Sequence, residues 1–509
     1  ETIIGATVMV KGAKEGTLTD IDGNFSVKGK VGNTLSISYV GFSPLEVKVT
    51  KLEGNRFILK EDSKLLDEVV VVGMDKQKRN TITAAVSTVA SDAIVNRPVT
   101  DLTSALQGNV AGLNFVTDAA PDGVGGETGA EIKFNIRGVG SINGNGGEPY
   151  VLVDGVEQSL QNVNPNDIET ISVLKDASAA AVYGARAAYG VVLVTTKSGR
   201  QEKTRVSYRG TVGFSSPINM PEMMNSLEFA KYVNERNDND GVNHKFSDAL
   251  IEKMEGFMKN PYSAEFPGIG PNQNGTDWAS SMDAVYANTD WFDYYFKDTA
   301  IRHSHNLSVT EGSEKFNYYV GLGYTYQDGL LDKVDDNLSK YNVNTKFQII
   351  ANKWLKFNFN NNITLSILKR PMANQTIFYG TLGQTIPNAP THYPIDSEYN
   401  DASEFRYLKE SHYVQNRISD AMSFAATITP LPGWDIVGEM KVRFDVEDNS
   451  FKRGYPTVEK PDGELKVDIG TKQGYVYPGM EWKNSKWGSY TRGNAFNYYL
   501  SPNVSTSYV

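Results

Sequence analysis

Between residues 301 and 366 apolar and polar side chains alternate with few breaks. In 316–327 the even positions are Phe316, Tyr318, Val320, Leu322, Tyr324 and Tyr326, and the odd ones Asn317, Tyr319, Gly321, Gly323, Thr325 and Gln327. Tyr341, Val343, Phe347 and Ile349 alternate with Lys340, Asn342, Asn344, Lys346 and Gln348. Leu355, Phe357, Phe359, Ile363 and Leu365 then alternate with Lys356, Asn358, Asn360, Asn362, Thr364 and Ser366. Strand side chains point to opposite faces in turn, so each run has one greasy and one wet face. The runs match the roughly 9–11 residues that a tilted strand needs to cross a bilayer.

A soluble sandwich alternates in the same way, and the connections separate the two. Segments 311–314, 351–353 and 431–433 predict tight turns, whereas 328–337, 369–416 and 448–492 are longer polar links. Short turns at one end and long loops at the other mark an outer-membrane barrel. Wall strands are expected at 204–214, 301–310, 315–327, 339–350, 354–366, 417–429 and 435–447, with an eighth starting near 494–500. The first of them leaves the preceding domain, so the tight turns are expected on the periplasmic side and the long loops outside. Residues 215–300 hold a helix-like segment at 226–237.

Upstream, 1–62 predicts a small β-sandwich with strands at 3–10, 16–19, 24–28, 34–40, 45–49 and 56–59. Asp22-Gly23 is a turn pair. Asp20, Ile21 and Asp22 resemble the start of a calcium loop but lack the glutamate at its twelfth position. Residues 63–80 form a linker with the run Asp67, Glu68, Val69, Val70, Val71, Val72 and Gly73. Successive valines favour extended backbone. This strand either closes the sandwich or adds to the sheet edge of another protein. Residues 81–200 predict a compact α/β domain. It has strands at 131–137, 150–153, 168–174 and 191–196, a helix over 101–107 capped by Thr100, and an alanine-rich helix over 177–188 capped by Asp176.

The chain has 509 residues, 50 basic and 60 acidic side chains, a net charge of −10 and no cysteine. That balance gives nucleic acid no basic surface, and disulfides and thiol catalysis are excluded. No stretch approaches the ~18 apolar residues of a membrane helix. The mean hydropathy of −0.38 hides half-polar barrel strands rather than arguing against them. Glu1 follows no visible signal peptide, so a processed or truncated start is expected.

The wording of the middle domain identifies it. Asn135-Ile-Arg-Gly-Val-Gly140, Tyr150-Val-Leu-Val-Asp-Gly155, Asn164-Pro-Asn-Asp-Ile-Glu169, Val173-Leu-Lys-Asp-Ala-Ser178, Tyr183-Gly-Ala-Arg-Ala187 and Gly190-Val-Val-Leu-Val-Thr-Thr-Lys197 occur in order. Together they resemble the plug domain of SusC/RagA-type TonB-dependent transporters. Gly5-Ala-Thr-Val, Thr19-Asp-Ile-Asp-Gly-Asn-Phe25 and Tyr39-Val-Gly-Phe42 resemble the non-catalytic carboxypeptidase regulatory-like domain, and 67–73 resembles the TonB box of the SusC-like group. The resemblance implies a mainly β chain: the sandwich, the plug, and at 201–509 the N-terminal part of an antiparallel transmembrane β-barrel. Barrels with a plugged lumen have ~22 strands, so a truncated sequence is expected. It also implies import of oligosaccharides or peptides across the bacterial outer membrane, with a SusD-like surface lipoprotein as lid and energy from the inner-membrane TonB complex. The N-terminal domain and TonB box would be periplasmic, and outer-membrane lipid would surround the wall. A ligand receptor, signal transducer or adhesin without transport is the alternative. A transducer usually adds a dedicated signalling domain where this chain has the sandwich.

Other chemistry finds little support. No P-loop, H-E-x-x-H or G-x-S-x-G pattern occurs, and Gly138-Val-Gly140 lacks a correctly placed third glycine. No enzyme activity, cofactor or metal is expected. His303 and His305 share a strand face, either as a metal pair or, as preferred, at an outward membrane interface. Trp291, Phe292, Tyr294, Tyr295 and Phe296 suit an interfacial girdle or, alternatively, sugar stacking. Tyr475, Tyr477, Trp482, Trp487 and Tyr490, in the last long loop, are the better candidates for stacking on a substrate. Packing of that loop explains them equally.

Overall fold

A computed structural model describes residues 3–508 apart from 4–5, 11–15, 40–44, 60–68, 73–74, 79–85, 96–101, 118–127, 139–146, 176–180, 200–202, 372–381, 397–399, 403–411, 455–456, 468–482, 486–487 and scattered single positions. The chain divides into two units, Glu1–Val86 with Leu174–Ala185, and Ser87–Val173 with Arg186–Val509.

In the first unit, β1 (Thr7–Val10), β2 (Gly16–Leu18), β3 (Thr34–Ser38) and β4 (Leu45–Lys48) form an antiparallel sheet in the order β2-β1-β3-β4. Alternation puts Val8, Leu35 and Ile37 on one buried face. Segments 24–28 and 56–59, expected as strands, are not strands, yet they deliver Phe25, Val27, Phe57 and Leu59 to that core. The Phe25 and Phe57 rings lie 6.1 Å apart. Asp20 Oδ1 accepts the Asp22 and Asn24 amides at 3.0 and 2.8 Å, with Gly23 at φ 76°, so this carboxylate closes a turn. The valine run forms β5 (Val69–Val72), which pairs antiparallel with β6 (Asp75–Lys78) as a separate two-stranded sheet and not as a further strand of β1–β4.

The second unit begins with a plug-like domain. Its strands are β7 (Val86–Ala90), β8 (Leu113–Thr117), β9 (Ile132–Ile136), β10 (Tyr150–Val153), β11 (Val156–Glu157), β12 (Ile168–Leu174) and β13 (Val191–Thr196). Five of them make a sheet in the order β11-β10-β13-β12-β7, with β10 and β13 parallel. The short helices Ser91–Val95 and Leu102–Leu106 bury Ile94, Leu102 and Leu106 against Ile168 and Ile171 of the sheet. Asp154 and Gly155 link β10 to β11 with φ of 48° and 82°, both in the left-handed region that a two-residue hairpin turn requires. The alanine-rich helix expected over 177–188 is not continuous. Ala181–Ala187, most of which belongs to the first unit, winds as 3-10 turns, broken where Gly184 takes φ 71° and ψ −157°.

The wall follows as β14 (Arg205–Ser215), β15 (Ala300–Gly312), β16 (Phe316–Asp328), β17 (Asn337–Asn352), β18 (Leu355–Pro371), β19 (His412–Leu431) and β20 (Trp434–Gly454). A small hairpin, β21 (Thr457–Glu459) with β22 (Leu465–Val467), precedes β23 (Lys483–Ser485) and the last long strand, β24 (Gly488–Tyr508). The strands from β14 to β20 pair in sequence, antiparallel, and β24 joins β20. All eight expected wall strands are present, which fits part of a barrel. Two links are shorter than expected, because the ladder runs on through Pro371↔His412 and Gly454↔Gly488.

Along β16 the odd positions Asn317, Tyr319 and Gly321 are buried while Phe316 and Leu322 stay exposed. The same parity leaves Phe424, Met440, Phe444 and Phe496 exposed on the outer face and buries Asn342, Asn344, Asn362, Thr364, Ser419 and Ser423 on the other. His303 and His305 share the outer face with Tyr208, Tyr324 and Tyr326, and the Tyr208 hydroxyl lies 2.7 Å from His305 Nδ1. Among the described residues no helix is long and apolar enough to cross a membrane.

The helix Ser226–Asn239, close to its expected bounds, starts at a capping box of Asn225 and Glu228. It packs with a second helix, Asp248–Lys259, around Phe246, Met254 and Phe257. Residues 291–296 do not form the expected girdle. Asp290 caps a short helix, Trp291–Tyr295, whose Trp291, Phe292 and Tyr295 are buried against Leu331 and Leu382. The surface of these three is consumed inside the loop assembly, while Tyr294 and Phe296 pack against it half-buried.

Candidate functional site: the seam between plug and wall

The buried polar face of the wall is where the plug sits, and hydrogen bonds make the seam. The hairpin turn presents Asp154 to Lys346 of β17. Lys346 Nζ donates to Asp154 Oδ1 at 2.6 Å and to the Thr196 carbonyl at 2.7 Å. Thr196 Oγ1 donates to Asp154 Oδ2 at 2.6 Å. The Lys346 and Asp154 side chains are only 11% and 13% exposed, so this is a largely desolvated ion pair.

Two 3-10 turns of the plug, Leu160–Asn162 and Pro165–Asp167, supply the next contacts. Each has a side-chain cap, Ser159 and Asn164. Thr364 Oγ1 donates to the Asn162 carbonyl at 2.6 Å and Asn342 Nδ2 donates to Thr364 at 2.8 Å, so the wall satisfies a half-buried backbone acceptor of the plug. Arg443 Nη1 likewise donates to the Glu157 carbonyl at 2.6 Å. Asn164 Nδ2 donates to Asn306 Oδ1 at 2.8 Å, and the Tyr319 hydroxyl donates to Asp167 Oδ1 at 2.7 Å.

The wall makes room through two glycines. A Cβ on Gly321 would stand 2.3 Å from Asp167 Oδ1, and one on Gly323 2.4 Å from Asn164 Nδ2. Asp167 pays for the closeness in proton affinity: burial pushes it up to about 6, while the Tyr319 hydrogen bond and the Lys197 and Lys346 charges pull the other way. Below this contact a polar cavity of about 470 Å³ separates plug from wall, lined by Glu169, Lys197, Arg205, Ser308 and Tyr319.

The residues singled out from sequence fall elsewhere. Val69, Val70, Val71 and Val72 are extended and paired, while Asp67, Glu68 and Gly73 lie outside the described residues. Tyr475, Tyr477, Trp482 and Trp487 also lie outside them, and Tyr490 sits on β24 opposite Lys452. Asp154, Asn164, Asp167, Tyr319, Lys346 and Thr364 were missed as a site. For Tyr319, Lys346 and Thr364 the signal was the polar half of the alternation, which announces a wet face but not the partner on it; the plug turns that hold Asp154, Asn164 and Asp167 carried none.

Chemically, the named contacts across this seam are polar on both sides. Each neutral bond of this kind adds only ~0.5–1.5 kcal/mol net, because water replaces it when it breaks, and those of Lys346 and Arg443 add ~1.5–3 kcal/mol. A seam of this kind holds a plug in register and still lets it shift without exposing an apolar core.

Residues 78–191 match the family model of the TonB-dependent Receptor Plug Domain, and residues 1–71 that of the CarboxypepD_reg-like domain. The chain is 33% identical over 382 residues to the TonB-dependent receptor SusC of Bacteroides thetaiotaomicron, which covers 70% of this chain and 33% of that protein. The TonB-dependent receptor P26 of Formosa agariphila is 32% identical over 482 residues, covering 91% of this chain and 43% of that one. Among solved structures, the RagAB peptide importer in its open-open state aligns with a TM-score of 0.58 at 26% identity, over 76% of this chain and 43% of that chain. The chain thus spans 33% to 43% of the length of these relatives. It belongs to the SusC/RagA-type TonB-dependent receptors, a family of outer-membrane β-barrels, and carries their accessory domain, their plug and a run of their barrel wall.

Proposed function

We propose that the whole protein imports oligosaccharides or peptides actively across the outer membrane. The observation that carries this reading is the polar seam: the plug packs on the inner face of the wall through hydrogen bonds and one ion pair, so in a closed barrel it would block passive passage. The names of its relatives support it, since one is a SusC receptor and another a peptide importer. A SusD-like surface lipoprotein would close the lumen from outside. The TonB complex would engage residues 67–73 from the periplasm, where the first domain also lies. Adding an extended run to the sheet edge of a partner is a recurrent mode of recognition. The working division is 1–62, 63–80, 81–200 and 201–509, with Tyr475, Tyr477, Trp482, Trp487 and Tyr490 as outer substrate contacts. The family is a transporter class and not an enzyme class, so the work is mechanical. Deleting residues 67–73 tests this: uptake of labelled ligand should stop while ligand binding at the cell surface persists. Continued accumulation in the periplasm of the deletion strain would refute import driven through that segment.

A further inference from the structure

A second cavity, of about 230 Å³, lies between Gln158, Ser159 and Asn162 of the plug and Arg417, Glu447 and Asn497 of the wall. These wall residues share the parity of Ser419 and Arg443, so they line the plug side. Arg417 and Glu447 stand well along β19 and β20 from the tight turn at Leu431↔Trp434, toward the end that bears the long links.

The charges around this cavity are already matched. Arg417 donates twice to Glu447 Oε2, at 3.1 and 2.9 Å, and Gln415 and Asn449 donate to Oε1 at 2.8 and 2.7 Å. Arg443 Nε lies 2.9 Å from Asp445 Oδ2, and Ser419 donates to Asp445 Oδ1 at 2.7 Å. Gln158 Oε1 and Arg443 Nε are the exceptions: neither has a hydrogen-bond partner among the described residues, although Arg443 stays ion-paired with Asp445, and Gln158 is 5% exposed. A buried acceptor without a donor is an unfavourable arrangement that a polar ligand relieves.

We propose that this cavity is a subsite for one sugar unit of a neutral oligosaccharide, an assignment that rests on the import reading above. A sugar hydroxyl both donates and accepts. Planar guanidinium, carboxylate and amide groups set side by side can bracket adjacent hydroxyls, and Gln158 offers the free acceptor. A uronate carboxylate or a peptide terminus would instead bring a charge to a place where the charges already cancel. It would lose hydration without gaining a counter-ion. A neutral sugar gives up only hydrogen bonds that the lining restores.

The test uses the full-length protein in detergent, with fluorescently labelled maltohexaose, cellohexaose and mannohexaose, a hexagalacturonate, and hexa-alanine as probes. At least one neutral hexasaccharide should bind more tightly than the acidic probe and the peptide. Gln158→Leu should weaken it about tenfold, the loss of one hydrogen bond's worth of affinity. Asn497→Leu, at an exposed position of the wall, should weaken it in the same direction and covers the case in which the buried substitution disturbs folding. Preference for the acidic probe or the peptide, no binding of any neutral probe, or unchanged affinity in a folded Gln158→Leu protein overturns the subsite. The deletion of residues 67–73 keeps the two ideas apart. Uptake that survives the deletion removes import driven through residues 67–73 but not the subsite, whereas binding insensitive to both substitutions removes the subsite but not that import.

Discussion

The hydroxyl of Tyr319 on the wall meets Asp167 of the plug at 2.7 Å, and Asp167 Oδ2 has no hydrogen-bond partner among the described residues. A carboxyl group held this way is more comfortable neutral than charged. The plug is therefore anchored at this point by a group that responds to protons.

Its pH dependence has a definite sign. Asp167 stands at about 6 in the folded chain against an ordinary 3.8, so the folded form keeps the proton longer than the unfolded one. The stability it contributes is complete below about pH 4 and falls as pH rises through about 6. By neutral pH the loss is on the order of 3 kcal/mol. Asp167→Asn retains an acceptor for Tyr319 and removes the titration. A plug-attached fluorophore should report a urea midpoint that drops between pH 5 and 7.5 in the unaltered protein and stays nearly level in the variant. A midpoint equally flat in both would remove Asp167 as the cause.

Gly321 is required by the same contact. Added methyl groups in a packed site typically cost ~1–3 kcal/mol, and at Gly321 the obstacle is Asp167 Oδ1 at 2.3 Å. Gly321→Ala should make the plug more susceptible to limited proteolysis. Gly438→Ala, also on the wall but with nothing within 4 Å of the new Cβ, should leave the cleavage rate as it was. Equal behaviour of the two would show that plug and wall do not approach each other at Gly321.

These contacts also show what alternation can and cannot reveal. Period-two patterning placed seven of the long strands and the start of the eighth, and the outward side of β16, β17 and β18, because burial of one face imposes it. It failed at the outer strand ends, 448–454 and 488–492, where polar residues occupy both faces and the signal vanishes while the ladder continues. It could not separate a membrane girdle from a loop core at Trp291, since both call for aromatic side chains. Gly321 and Gly323 read only as small residues on a wet face. Their purpose appears once Asp167 and Asn164 lie against them, and such contacts between residues 154 and 159 positions apart leave no local trace.

The ion pair of Lys346 and Asp154 is largely shielded from water, and removing one partner strands the other. Lys346→Met should destabilise the plug by ~3–5 kcal/mol, because Asp154 is left buried and charged. Combining it with Asp154→Asn should recover much of that loss. A double-mutant cycle on plug unfolding measures the coupling. Additive effects would mean that the pair is hydrated and independent.

On the outward face of β18 and β19, Asn361 Nδ2 donates to Asp420 Oδ1 at 2.6 Å. The strand registers set this pair beside Ile363, Met422 and Phe444, in the apolar band that faces lipid. Lipid offers no replacement partner, so truncating either residue leaves the other unsatisfied, at ~1–3 kcal/mol or more if charge remains. Asn361→Leu alone should lower the heat resistance of the folded barrel on a semi-native gel. Asp420→Leu alone should lower it less, because the residue left behind is a neutral amide. The double substitution should equal or exceed the unaltered protein, since two leucines match the surrounding band. A double variant weaker than both singles would place this face against another polar surface instead of lipid.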